Sequence, residues 1–238
     1  MSDKLSPTDR AKRAAGLAAL EHVRSGMKLG LGTGSTAAFM VADLGRMVAD
    51  GLEVVGVPTS SVTAEQARGL SIPLTTLEDV GRLDLVIDGA DEFDPDFNLI
   101  KGAGGALLQE KIVASAAERM IVISDASKEV ATLGAFPLSV EIVRFGWQST
   151  ERLIADLLLE ADVDGRQIVR RMADGAPYVT DEGHFIFDLH LHRIGDPAGL
   201  DRALNGLTGV VDTGLFCGIA SDVIVGEPDG STRAPGRV

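Results

Sequence analysis

The sequence predicts an α/β fold in which a domain built on a parallel sheet carries an inserted, smaller α+β domain. Three observations predict it. Short apolar runs at 28–31, 53–57, 83–87 and 120–124 alternate with helix-length segments, the rhythm of a parallel sheet covered on both faces. Glycines gather where those runs end and form no repeat. After about Gly134 the order changes to strand, helix, two strands and helix, that of a split βαβ, ferredoxin-like module.

Element by element, Ser6-Pro7-Thr8-Asp9 opens a helix with a cap serine, a proline in the first turn and an acid near the positive end. Ala11, Ala14, Ala15, Ala18 and Val23 continue its stripe to Gly26. The strand at 28–31 enters Gly32-Thr33-Gly34-Ser35-Thr36, and 37–47 is helical. The strand at 53–57 leads to Thr59-Ser60-Ser61, which caps a helix through Ala67. A strand at 83–87, a helix at 106–117 and a strand at 120–124 follow. In the second half, strands at 138–145 and 167–171 flank a helix at 150–160. Alternating segments at 178–180 and 185–191 meet at the turn Asp181-Glu182-Gly183, and a helix covers 197–204. Strands at 210–216 and 222–226 return to the first sheet, and the polar tail from Pro228 is loose. This assigns 1–133 and 208–238 to the sheet domain and 134–207 to the smaller one.

At 238 residues the chain has room for a main domain with a smaller companion. Its 45% hydrophobic and 24% charged residues are those of a globular protein with a core. A net charge of −13 and pI near 4.7 argue against nucleic acid and anionic membranes as partners. Aromatics at 4% are too few for a stacking platform. Cys217 is the only cysteine and sits in apolar surroundings, which predicts a buried thiol packed as a small hydrophobe. Met1-Ser2-Asp3-Lys4 does not begin a signal sequence and no apolar run reaches membrane-spanning length, so the expected location is the cytoplasm.

The residues able to do chemistry cluster around Asp88-Gly89-Ala90-Asp91 and Lys101-Gly102-Ala103-Gly104-Gly105 through Glu110. Asp88 and Asp91 stand where a strand ends, the edge at which open α/β sheets bind ligands, although an acidic turn has the same composition. Asp94-x-Asp96-x-Asn98 fails as a calcium loop, since Leu99 and Gly105 replace the required glycine and glutamate. Lys101 suits an oxyanion or phosphate, or a solvated loop. Glu110, early in a helix, suits a general base or a surface acid. Gly32-Thr33-Gly34-Ser35-Thr36 has Gly-x-Gly-x-Gly spacing, so it matches neither the dinucleotide fingerprint nor a P-loop. It reads either as a phosphate cradle at a helix start or as a capped tight turn. His190-x-His192 shares a strand face with no third ligand nearby, which favours a solvated face or an interface over zinc.

Set in order, these pieces resemble ribose-5-phosphate isomerase, type A. The resemblance also takes in Lys12-Arg13-Ala14-Ala15-Gly16, Thr59-Ser60-Ser61, Ser124-Asp125-Ala126-Ser127-Lys128 and Gly214-Leu215-Phe216, and it spans nearly the whole chain. It implies a Rossmann-like domain with an inserted ferredoxin-like domain. It also implies a metal-independent, cofactor-free interconversion of D-ribose 5-phosphate and D-ribulose 5-phosphate through an enediolate. Glu110 would move the carbon proton, and Asp88 and Lys101 would serve the sugar oxygens with Asp91 in support. Substrate binding would fall to Asp88, Gly89, Ala90 and Asp91 and to Lys101, Gly102, Ala103 and Gly104. Thr33, Gly34, Ser35, Thr36, Lys12 and Lys128 would hold the phosphate. A homodimer or homotetramer is implied, with 185–191 a plausible contact surface. The chain departs from the pattern at Ala103, where glycine is usual and where alanine narrows the backbone freedom of the loop. It departs again at Asp181-Glu182-Gly183-His184 and at Arg144.

Overall fold

The structure, a computed structural model, describes residues 5–237. The segment Met1-Ser2-Asp3-Lys4 considered above for a signal sequence, and the last residue of the tail, lie outside the described residues. In chain order the first elements are α1 (Pro7–Leu20), β1 (Lys28–Leu31), α2 (Ser35–Ala49), β2 (Val55–Pro58), α3 (Ser61–Gly69), α4 (Leu77–Val80) and β3 (Leu85–Asp88). Then come β4 (Glu92–Phe93), β5 (Leu99–Ile100), α5 (Leu107–Ser115), β6 (Met120–Asp125) and a 3-10 turn at Ala126–Lys128. The later elements are β7 (Leu138–Ile142), α6 (Trp147–Glu160), β8 (Gln167–Arg170), β9 (Met172–Ala173), β10 (Ala176–Pro177) and β11 (Phe185–His190). They end with α7 (Pro197–Asn205), β12 (Val210–Thr213), β13 (Leu215–Phe216), β14 (Asp222–Gly226) and β15 (Thr232–Arg233). Two compact units result. One holds the described residues up to Ala90, with Gln109–Glu129 and the chain from Gly218 on; the other holds Asp91–Leu108 and Val130–Cys217.

In the first unit, α1 starts as its sequence dictates: the Asp9 N–H donates to Ser6 Oγ at 3.1 Å, with Pro7 in the first turn. Its buried face is mostly small, with Ala11, Ala15, Gly16 and Ala19 beside Leu20. A Cβ at Gly16 would lie 3.2 Å from the Met40 Cα, so the small face sets how closely α1 and α2 pack. The sheet order is β2-β1-β3-β6-β14, all parallel, with β15 antiparallel at the edge. Every residue of β3 and β6 is buried, which explains the apolar runs 85–87 and 120–123 that lead to their polar ends. Gly30 in β1 admits no side chain, because an added Cβ would stand 2.3 Å from Val86 Cγ2 and 2.7 Å from Val113 Cγ1. The tail is less loose than expected. Thr232 and Arg233 pair with β14, and Arg233 bridges Glu129 and Glu227, covering an edge that would otherwise present unpaired backbone.

In the second unit, β7, α6, β8, β11, α7 and β12 build an antiparallel sheet of order β12-β7-β11-β8. That is the expected ferredoxin-like arrangement. Leu138, Val140 and Ile142 alternate inward from β7 onto Ile154, Leu158, Phe187 and Leu204. Two sequence readings change here. Only Asp222–Gly226 returns to the first sheet; Val210–Thr213 pairs with β7, and Leu215–Phe216 with β5. The strand expected at 178–180 is replaced by the β9–β10 hairpin. Its Asp174-Gly175 turn has positive φ at both residues, 51° and 80°, the Asp-Gly signature of a type I′ turn. A second small hairpin pairs Glu92 with Ile100 and Phe93 with Leu99, and β13 adds a third strand.

Candidate active site

The first unit places its candidate residues around the switch point of the sheet. The chain winds one way from β1 to β2 and the other way from β3 on, and such open sheets bind ligands beyond the strand ends at that reversal. Asp88 ends β3 and is fully buried. Its Oδ1 accepts the N–H groups of Thr33 at 3.1 Å and Gly89 at 2.7 Å, charge-assisted bonds that fix the carboxylate's orientation. Gly32 permits this closeness, since a Cβ there would stand 2.5 Å from the Asp88 Cα.

The Thr33 hydroxyl is equally engaged. It lies 2.7 Å from Thr59 Oγ1, 2.8 Å from Ser60 Oγ and 3.1 Å from Thr63 Oγ1. Thr59-Ser60-Ser61 thus has two functions, because Ser60 also caps α3 by accepting the Thr63 N–H. The start of α2 is different. Gly34 caps it with φ of 113° and no side-chain cap bond, and Gly34 and Ser35 are exposed. Lys12 Nζ donates to Ser35 Oγ at 2.8 Å, so a cation stands beside free-facing helix amides, the chemistry that attracts phosphate. Glu110 is buried in the first turn of α5. Lys128 is half-buried at the end of the 3-10 turn, which Asp125 caps by accepting the Ser127 N–H at 2.9 Å.

The second unit holds the other half of the predicted set. Lys101 follows β5 and is buried, with its N–H bonded to the Gly214 carbonyl at 2.8 Å. Its ammonium lies 5.7 Å from the centroid of the Phe216 ring, within cation–π range. Asp91 donates its N–H to Ile100 O, and its Oδ2 accepts the Ala103 N–H at 2.9 Å. The concern over Ala103 is corrected by the backbone. Gly102 and Gly105 carry the positive φ values, 112° and 79°, and Ala103 has none, so alanine adds no strain there.

Sequence reasoning missed Arg171, whose Nη1 donates to the carbonyls of Gly102 at 2.7 Å and Ala103 at 3.3 Å. An arginine at a strand end carries no local signal of such a contact. The altered 181–184 turn also acquires a reason. His184 Nδ1 and Thr180 Oγ1 each lie 2.9 Å from Oε1 of Glu141, a wholly buried carboxyl on β7. Burial pushes the Glu141 pKa above the ordinary carboxylate value, against the opposing pull of its hydrogen bonds to His184 and Thr180. Arg144 lies over the Phe185 ring at 5.2 Å. Asp94 is occupied by its own turn, accepting the N–H groups of Asp96 and Asn98. Cys217 is half-buried against the second core, less enclosed than expected. His190 lies on β11, while His192 falls beyond the strand with φ of 61°, so the two do not share one strand face.

Comparison with known proteins agrees with this fold. The family described as ribose 5-phosphate isomerase A (phosphoriboisomerase A) matches residues 55–230. The chain is 59% identical over 234 residues to ribose-5-phosphate isomerase A of Dinoroseobacter shibae, covering 98% of this chain and 90% of the relative. It is 59% identical over 231 residues to that of Cereibacter sphaeroides, covering 97% and 88%. Among solved structures, a D-ribose-5-phosphate isomerase in complex with phospho-erythronic acid superposes with a TM-score of 0.89 at 36% identity, covering 97% of this chain and 99% of that one. Ribose 5-phosphate isomerase from Plasmodium falciparum gives 0.89 at 36% identity, covering 95% and 97%.

Proposed function

The chain belongs to the ribose-5-phosphate isomerase A family, and from that premise we propose that it interconverts D-ribose 5-phosphate and D-ribulose 5-phosphate through an enediolate, without a metal or cofactor. The observation that carries the assignment of residues is burial. Asp88, Lys101 and Glu110 are 0%, 3% and 4% exposed, and charged side chains are seldom so buried unless they are paired or used in chemistry.

In this reading Glu110 takes the proton from C2 of the aldose and returns it to C1 of the enediolate. A carboxylate can abstract a proton alpha to a carbonyl when the oxygen that gains charge is stabilised. Lys101 supplies the cation for that oxygen, and Asp88 moves the proton between the two sugar oxygens. The bonds from Thr33 and Gly89 hold Asp88 in one orientation for the purpose. Asp91 with the backbone of Gly89, Ala90, Gly102, Ala103 and Gly104 binds hydroxyls. Gly34, Ser35 and Thr36 with Lys12 and Lys128 hold the phosphate, and Thr33 keeps their loop in place. Phospho-erythronic acid, bound by a relative, supports the substrate class, because a carboxylate on a hydroxylated phosphate chain has the planar charge of an enediolate.

The test is a coupled assay on purified protein in excess chelator, with wild type beside Glu110→Gln. Ribulose 5-phosphate formation by wild type and its loss in the variant are expected; no product from wild type would refute the activity. The protein is further proposed to act as a homodimer or homotetramer through residues 134–207. Light scattering that returns a monomer mass at working concentration would refute the assembly. Among the described residues no helix is long and apolar enough to cross a membrane, and a cytoplasmic location is proposed.

A further inference from the structure

We propose that Arg171 is a positioning residue for the isomerisation, holding the peptides of the Gly102–Gly104 loop in the one orientation that presents the Gly104 amide to the sugar. The proposal rests on the reading above that 101–104 contact substrate. All five N–H donors of the guanidinium find acceptors. Nε and Nη2 donate to the two oxygens of Asp188 at 2.9 and 2.5 Å, and Nη2 donates also to Ser139 Oγ at 2.8 Å. Nη1 donates to the Gly102 and Ala103 carbonyls. Ser139 in turn donates to Asp188 at 3.2 Å. The fork is therefore fixed on β7 and β11 before it reaches the loop, and the Arg171 and Asp188 side chains are only 16% and 19% exposed.

The consequence follows from peptide geometry. A trans peptide points its C=O and N–H in opposite directions. The Gly102 carbonyl faces Arg171, and the N–H of the same peptide, on Ala103, donates to Asp91. That unit is pinned from both sides by opposite charges. The next carbonyl, on Ala103, also faces Arg171, which turns the Gly104 N–H away from the guanidinium. Tyr178 closes the far end of the loop: its Oη lies 3.5 Å from the Gly104 carbonyl, and a Cβ on Gly105 would come within 2.1 Å of it. The Arg171 Cζ lies 5.8 Å from the centroid of the Tyr178 ring. A loop with positive φ at two glycines has other conformations open to it, and the guanidinium selects one. Lysine cannot replace it, because an ammonium lacks the planar fork that reaches two carbonyls and a carboxylate together.

The test uses the full-length enzyme with Arg171→Lys, which keeps a charge beside Asp188, and Arg171→Met/Asp188→Asn, which leaves neither charge uncompensated. Melting temperature, kcat/KM, and inhibition by inorganic phosphate and by phospho-erythronic acid are measured. Both variants are expected to melt near wild type, lose about 100-fold in kcat/KM and bind phospho-erythronic acid more weakly, with phosphate inhibition unchanged. Retention of kcat/KM within about threefold in the folded variants would overturn the proposal. So would a loss that tracks lowered melting temperature and weakened phosphate binding, since that marks general distortion. Lys101→Met separates the underlying reading: wild-type turnover there would refute the substrate role of 101–104 itself, whereas an inactive Lys101→Met beside active Arg171 variants would refute only the role of Arg171.

Discussion

Gly32→Ala tests how tightly the two strand ends at the switch point must approach. The alanine Cβ would stand 2.2 Å from Asp88 Oδ1, 2.4 Å from Cγ and 2.5 Å from Cα. Turning the carboxylate aside relieves the first two contacts. It does nothing for the third, which is backbone, so the end of β3 or the exit of β1 has to give by about 1 Å to reach ordinary contact. Forced overpacking of this kind costs about 1–3 kcal/mol. For a chain of this size each kcal/mol lowers the melting temperature by about 2–4 °C, so a fall of about 2–12 °C is expected. The same shift misplaces a carboxylate held by two backbone amides, and displacement by about 1 Å costs roughly 100-fold in kcat. Thermal melts and the coupled assay measure both effects on one preparation. A variant that melts within about 1 °C of wild type and turns over within about twofold would refute the reasoning.

Two further predictions concern Ala103 and the buried Glu141. Ala103→Gly should leave kcat/KM within about threefold and cost about 0.4–1 kcal/mol of stability, because the residue needs no positive φ and glycine only loosens the unfolded chain; a tenfold or greater gain in kcat/KM would contradict this. For Glu141 the folded pKa is raised by burial above the ordinary value of 4.5. Its contribution to stability is therefore fully present below about pH 4.5 and lost as pH rises through the folded value. Glu141→Gln lacks this dependence, so it should gain stability relative to wild type between acid and neutral pH. Melting curves across that range measure the difference, and a flat or falling difference would refute the assignment.

The alternation of strand and helix was legible because each parallel strand is buried along its length, as 85–88 and 120–125 are. The ferredoxin-like order was legible for a related reason, the apolar residues Leu138, Val140 and Ile142 at alternate positions of β7. Pairing was not. Nothing local distinguishes 210–213, which joins β7, from 222–226, which joins β6, since strand partners are chosen by distant neighbours. The Asp174-Gly175 turn did carry a local signal, but its flanking strands are two residues long and show no period. At the site, the residue types of Asp88, Lys101 and Glu110 were legible, whereas their burial was not. Thr33 was expected as a phosphate contact and instead has both its N–H and its hydroxyl engaged by Asp88 and by Thr59, Ser60 and Thr63. Arg171 was invisible, because its acceptors lie 69 and 68 residues away in the chain.

The central claim is that the carboxylate of Glu110 moves the carbon proton. Turnover of ribose 5-phosphate by Glu110→Gln, folded as shown by an unchanged circular dichroism spectrum and assayed in excess chelator, tests it most directly. The account predicts a fall in kcat of roughly two to four orders of magnitude with KM little changed. A kcat within about threefold of wild type would contradict it.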